Sequence, residues 1–115
     1  MNMVDEKIDV EIMRRSALRA SGLLKTLSNP DRLLLLCHLS RGECCVGELE
    51  ILSGIQQPTL SQQLGVLRDE RLVNTRREGK QIFYRVASKA ALAVMQVLYE
   101  QFCKPDTRGN NDRLG

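Results

Sequence analysis

Four cysteines, Cys37, Cys44, Cys45 and Cys103, are the side chains of this sequence best suited to redox or soft-metal chemistry. A thiolate is both a nucleophile and a metal ligand, so the surroundings of each cysteine decide what it can do. Cys37 stands in the run Leu33-Leu34-Leu35-Leu36-Cys37-His38-Leu39, where a thiol also serves as an inert small apolar filler. Cys103 closes the last apolar segment just before Pro105, where packing gives less reason for a cysteine. Cys45 precedes Val46-Gly47-Glu48 and takes the cap position of a helix, with Glu48 as the far half of a capping box. The positive end of that helix would favour a thiolate, although a tolerated cap substitution without function explains Cys45 as well. Cys44 and Cys45 face opposite ways if the chain is extended there. His38, the single histidine, adjoins Cys37, but helix neighbours diverge by about 100° and cannot act as nucleophile and base. His38 reads as structural. Metal options then shrink to a three-coordinate soft-metal site from Cys37, Cys44 and Cys45. A four-ligand zinc centre cannot be assembled from these residues without distant parts of the chain. With neither a glycine-rich phosphate loop nor a paired-carboxylate site, the sequence predicts no enzyme and no cofactor.

A second set of residues has the chemistry of nucleic-acid reading. In Gln57-Pro58-Thr59-Leu60-Ser61-Gln62-Gln63-Leu64-Gly65-Val66-Leu67-Arg68, the leucines recur at helical spacing and leave Thr59, Ser61, Gln62, Gln63 and Arg68 facing water. Short hydroxyls and amides suit base edges, and glutamine can pair bidentately with adenine. Gln57, itself a candidate DNA contact, and Pro58 open this helix, Pro58 fitting a first turn where its missing N–H costs nothing. Downstream, Ile82, Tyr84 and Val86 alternate with Gln81, Phe83 and Arg85 as in a half-buried strand. Glu78-Gly79 marks a hairpin tip flanked by Arg76, Arg77 and Lys80. Residues 73–85 hold four Lys/Arg and one Glu, a net +3 equal to the formal charge of the whole chain, so positive charge collects where phosphates would be met. A polar helix and a solvated charged hairpin on an unrelated small domain would show the same pieces singly, but not in this order.

Several elements must position these residues. At 115 residues and 43% hydrophobic content the chain suits one compact domain, and with two Tyr, two Phe and no Trp its core must be aliphatic. No stretch approaches the roughly 18 apolar residues of a membrane span, and an N-terminus holding Asp5, Glu6, Asp9 and Glu11 is unlike a signal peptide. A cytoplasmic location follows as the expectation, with cysteines reduced, sensing or metal-binding rather than locked in disulfides. Five helices and one hairpin are predicted: a helix from about Ile12 to Leu27; a central one capped by Asn29 and opened by Pro30; a short one over Val46 to Ser53 closed by Gly54; the recognition helix; and a last helix capped by Ser88 and ending at Cys103. Helix, glycine turn, helix is the helix-turn-helix arrangement. The fold class is therefore mainly α with a β-hairpin wing. Residues 1–11 read as a flexible start, 12–105 as the domain and 106–115 as a disordered polar tail. Apolar stripes on the first helix (Met13, Ala17, Ala20, Leu24) and the last (Leu92, Met95, Tyr99, Phe102) exceed what so small a chain covers, which predicts an isologous homodimer on a palindromic site. A protein-interaction module would explain those helices but not the charged wing.

Over nearly its whole length the sequence resembles the ArsR/SmtB winged-helix repressors, through Leu23-Leu24-Lys25-Thr26-Leu27-Ser28-Asn29-Pro30, Val46-Gly47-Glu48-Leu49-Glu50, the Gln57-to-Arg68 run and Arg76-Arg77-Glu78-Gly79-Lys80-Gln81-Ile82-Phe83-Tyr84. Within that family it is most similar to the sulfide and persulfide sensors of the BigR/SqrR type, which carry one cysteine in the second helix and one near the end of the last, as Cys37 and Cys103 do here. The resemblance implies a homodimeric repressor of double-stranded operator DNA, released when reactive sulfur species link those two thiols. The pairing comes from the resemblance alone. Metal or arsenite sensing through Cys37, Cys44 and Cys45 is a competing expectation, since many family members bind such ions, and a general thiol redox sensor is another. Their thiolate site uses two cysteines separated by one residue, however, and here Cys45 is followed by Val46 and Gly47.

Overall fold

The computed structural model describes residues 9–105. The expected tail, 106–115, and residues 1–8 of the expected flexible start lie outside them.

Local signals account for most helix boundaries. Helix α1 spans Val10–Leu27 because the Asp9 carboxylate accepts from the Glu11 N–H at 2.9 Å, so the helix begins two residues before the expected Ile12 and includes Val10 and Glu11. From Val10 to Gly22 every residue of α1 is exposed, and only its last turn, at Thr26 and Leu27, enters the core. Helix α2, Pro30–Leu39, starts as expected: Asn29 Oδ1 accepts from the Arg32 N–H at 3.0 Å, and Pro30 sits in the first turn. Its Leu35, Leu36 and Leu39 are buried at the centre, packed with Leu49, Leu60, Leu64 and Leu67. Helix α3, Val46–Ser53, ends at Gly54, whose φ of 74° is the left-handed conformation that glycine adopts without strain. Helix α4, Thr59–Asp69, follows that turn and buries Leu60, Leu64 and Leu67.

The β structure exceeds the expected hairpin. Strands β2 (Val73–Glu78) and β3 (Gln81–Val86) pair antiparallel around Gly79, and a two-residue strand β1 (Cys44–Cys45) adds to the other edge of β3, giving the order β1-β3-β2. Cys44 lies opposite Tyr84, and Cys45 opposite Phe83. The two cysteines are thus in an extended strand, which sends them to opposite faces. Helix α5, Lys89–Leu98, is capped by Ser88, whose Oγ accepts from the Ala91 N–H at 3.0 Å, and it runs on into a π-helical turn over Tyr99–Cys103. Ala91 and Met95 seal the core from this side, while Leu92, Val97 and Phe102 remain exposed.

Candidate nucleic-acid interface and thiol pair

Of the residues expected to read bases on α4, the fold leaves some free and employs others. Ser61, Gln62 and Arg68 are exposed and Thr59 is half-buried. Gln57 Oε1 accepts from the Ser61 N–H at 3.0 Å and so caps α4, a task that Pro58 cannot perform. Gln63 is half-buried, and its Oε1 accepts from Arg32 Nη1 at 2.9 Å. With that oxygen occupied, Gln63 is not the free bidentate reader the sequence suggests. Gln62 is the glutamine still available for a bidentate contact.

The wing shows a similar division. Arg76 donates from Nε and Nη2 to the two oxygens of Glu43 at 2.8 and 2.9 Å and from Nη1 to Glu78 at 2.7 Å. Its guanidinium also lies over the Phe83 ring, 4.6 Å from the centroid, because the register sets Arg76 opposite Phe83. The hydrogen bond from Arg76 holds the Glu43 carboxyl below its ordinary range, and the two carboxylates push the Arg76 pKa further up. Arg76 is therefore committed to the sheet. Arg77 and Lys80 are exposed, and among the described residues neither makes an ion pair. Sequence reasoning passed over Arg71 and Arg85, which line a trough of about 390 Å³ with Arg68, Asn74 and Thr75. The alternation of β3 placed Arg85 outward, but not beside the end of α4.

The fold also brings two of the four cysteines together. Cys37 on α2 and Cys103 at the end of the π turn are neighbours, and both line an apolar groove of about 470 Å³ between α2 and the last helix, with Leu33, Leu34, Met95 and Phe102. Cys103 is exposed, Cys37 is half-buried, and neither is in a disulfide. Burial raises the Cys37 pKa first, the neighbouring Cys103 raises it further, and Arg41 opposes them. Cys44 and Cys45 are shut into the sheet. The Cys44 thiol donates to the Gly42 carbonyl at 3.6 Å, and burial, then the Glu48 charge, pushes its pKa up. The Cys45 N–H donates to Glu48 Oε1 at 2.9 Å, the expected far half of the capping box, while the buried thiol has little access to reagents. A site from Cys37, Cys44 and Cys45 is not assembled: among the described residues no group of three His, Cys, Asp or Glu side chains gathers to hold an ion. His38 stays half-buried on α2, and among the described residues no helix is long and apolar enough to cross a membrane.

The chain is similar to known proteins over most of its length. Residues 29–75, from the α2 cap into β2, match the model for bacterial regulatory proteins of the arsR family. The chain is 52% identical over 100 residues to the biofilm growth-associated repressor of Agrobacterium fabrum, covering 87% of this chain and 86% of that one. Among solved structures, it is similar to the transcriptional repressor BigR from Xylella fastidiosa (TM-score 0.77, 52% identity, 84% of this chain and 99% of that one). It is also similar to reduced HlyU from Vibrio cholerae (TM-score 0.79, 37% identity, 83% of this chain and 100% of that one).

Proposed function

This chain belongs to the arsR family of bacterial regulatory proteins, whose members named above are transcriptional regulators and not enzymes, and from that premise we propose a homodimeric repressor that leaves its operator when reactive sulfur joins Cys37 to Cys103. One observation carries the sensing part of the reading: two free thiols from different helices line the same apolar groove.

The chemistry balances with persulfide as the oxidant. Each thiolate attacks the outer sulfur of a persulfide RSSH, becoming a cysteine persulfide and releasing the thiol RSH. One cysteine persulfide then attacks the other, forming a trisulfide between Cys37 and Cys103 and expelling hydrogen sulfide. The sulfane sulfur is reduced to sulfide, and the protein keeps one inserted sulfur. Exposed Cys103 reacts first, since Cys37 is partly covered and held protonated. A direct S–S bond of about 2.05 Å demands a closer approach of the two sulfurs than a trisulfide, whose two such bonds through an inserted sulfur set the outer sulfurs about 3.3 Å apart. That difference favours reactive sulfur over simple oxidants.

DNA binding follows from the exposed face of α4, with Thr59, Ser61, Gln62 and Arg68 toward base edges, and from Arg77 and Lys80 on the wing toward phosphates. Dimerisation buries the apolar residues that α1 and α5 leave in water, among them Leu18 at 66% and Val97 at 56% exposure, and presents two recognition helices to a palindrome. Joining α2 to the end of the last helix then biases the dimer toward a spacing that no longer fits two major-groove half-sites. Such a regulator works in the cytoplasm, where its thiols stay reduced.

The test is DNA release by persulfide, run in parallel with peroxide, zinc, cadmium and arsenite. Cys37→Ser and Cys103→Ser should each bind DNA and stay bound after persulfide, while Cys44→Ser and Cys45→Ser still respond, and mass spectrometry should find one added sulfur in the linked wild-type protein. Loss of response in Cys45→Ser with response kept in Cys103→Ser would discard the pairing. A plain disulfide switch is the second reading, since both free thiols line one groove, and equal release by peroxide would select it.

A further inference from the structure

The helix that bears Cys37 also holds the recognition helix, through one side chain. Arg32 lies on α2, five residues before Cys37, and is half-buried. Its Nε donates to the Thr26 carbonyl at 2.7 Å and its Nη1 to Gln63 Oε1 at 2.9 Å. Thr26 is in the last turn of α1, where carbonyls lack an intrahelical donor. One guanidinium therefore ties the end of α1 and the start of α2 to the middle of α4. The core that α2 and α4 share is aliphatic, with Leu35, Leu36, Leu60 and Leu64 in one cluster, and such packing fixes distance better than register. Among the described residues, Arg32 to Gln63 is the side-chain hydrogen bond between these two helices. Arginine only donates, so Gln63 must keep its oxygen toward Arg32 and turn its amide nitrogen away.

We propose that Arg32 is a positioning residue for DNA reading: it sets the register of α4 against α2. The proposal rests on the DNA-binding reading above. A planar fork with two arms at fixed angles suits this role, and a lysine, with the same charge and no fork, does not. A phosphate contact by Arg32 is the competing role, and it would depend on charge rather than shape.

The test uses the reduced full-length protein, a duplex carrying the palindrome that the wild type selects from random DNA, and a scrambled duplex of equal length. Arg32→Lys and Gln63→Met should each weaken binding to the selected duplex about tenfold, the scale of a lost charge-assisted hydrogen bond, with the scrambled duplex changed less than about twofold. The double variant should be no weaker than the weaker single one, since both remove the same link. The salt dependence of Arg32→Met should match the wild type. Additive losses would overturn the proposal, and so would an Arg32→Lys protein that binds normally while Arg32→Met flattens the salt dependence. If Arg32→Lys fails to fold by thermal melting, unchanged sequence preference in Gln63→Met overturns it alone. Selection of no sequence by the wild type would sink the DNA-reading function and this role together. A wild type that selects a sequence yet ignores persulfide would remove the sensing function only, and the Arg32–Gln63 cycle would still decide the positioning role.

Discussion

Arg76→Ala and Arg77→Ala should behave differently on DNA although the residues are neighbours and carry the same charge. Arg76 has donors on both oxygens of Glu43, a third bond to Glu78 and a face against Phe83, so its charge is already answered within the sheet. Arg77 faces water, and among the described residues it makes no ion pair. Each phosphate contact contributes about 0.9 to the slope of log K against log salt, so removing one Arg77 contact from each half of a dimer should flatten that slope by about 1.8. Between about 50 and 200 mM salt, a fourfold range, the affinity gap between wild type and Arg77→Ala should then shrink about twelvefold. Arg76→Ala should leave the slope within about half a unit of wild type. Fluorescence anisotropy on a fixed duplex across that range measures both. If Arg76→Ala flattens the slope as much as Arg77→Ala, the ion pairs with Glu43 and Glu78 do not hold Arg76 away from DNA, and the division of the wing drawn from them is wrong.

Thiol reactivity should follow burial. A maleimide should label Cys103 first and Cys37 later, with Cys44 and Cys45 protected until unfolding, and labelling at Cys37 should keep accelerating above the ordinary thiol pKa of about 8.5, since burial and Cys103 hold it protonated; peptide mapping that finds Cys45 labelled before Cys103 would contradict this. Gly54→Ala should cost about 1 kcal/mol by denaturant unfolding, because a Cβ there meets no described atom within 4 Å and the penalty is purely that of a φ of 74°. Leu60→Ala, at 0% exposure under α4, should cost about 2 to 5 kcal/mol, and a smaller loss would mean that the helix is not anchored by its leucines. Leu18→Glu together with Leu24→Glu, both on the outer surface of α1, should convert the dimer to monomer in analytical ultracentrifugation without lowering helix content; a dimer that persists would move the interface elsewhere.

The central helices were legible because their signals are local. Asn29 with Pro30 starts α2, Gly54 ends α3, Ser88 starts α5, and each of these residues satisfies or terminates a backbone within four positions of itself. The spacing of Leu60, Leu64 and Leu67 likewise told which side of α4 faces inward, and alternation told the faces of β3. Other decisions depend on partners far along the chain, and composition or periodicity holds no record of them. Strand β1 exists because Cys44 and Cys45 meet Tyr84 and Phe83, a pairing that two residues could not announce. Arg76 is taken by Glu43 across 33 positions, and Gln63 by Arg32 across 31, so two side chains that hairpin charge and helical spacing offered to DNA are instead hydrogen-bonded within the fold. The sequence determined which residues could act on bases, phosphates and sulfur. Tertiary structure chose among them, because a side chain already hydrogen-bonded within the fold would have to break that bond to act elsewhere, and because two thiols react as a pair only when packing sets their helices side by side.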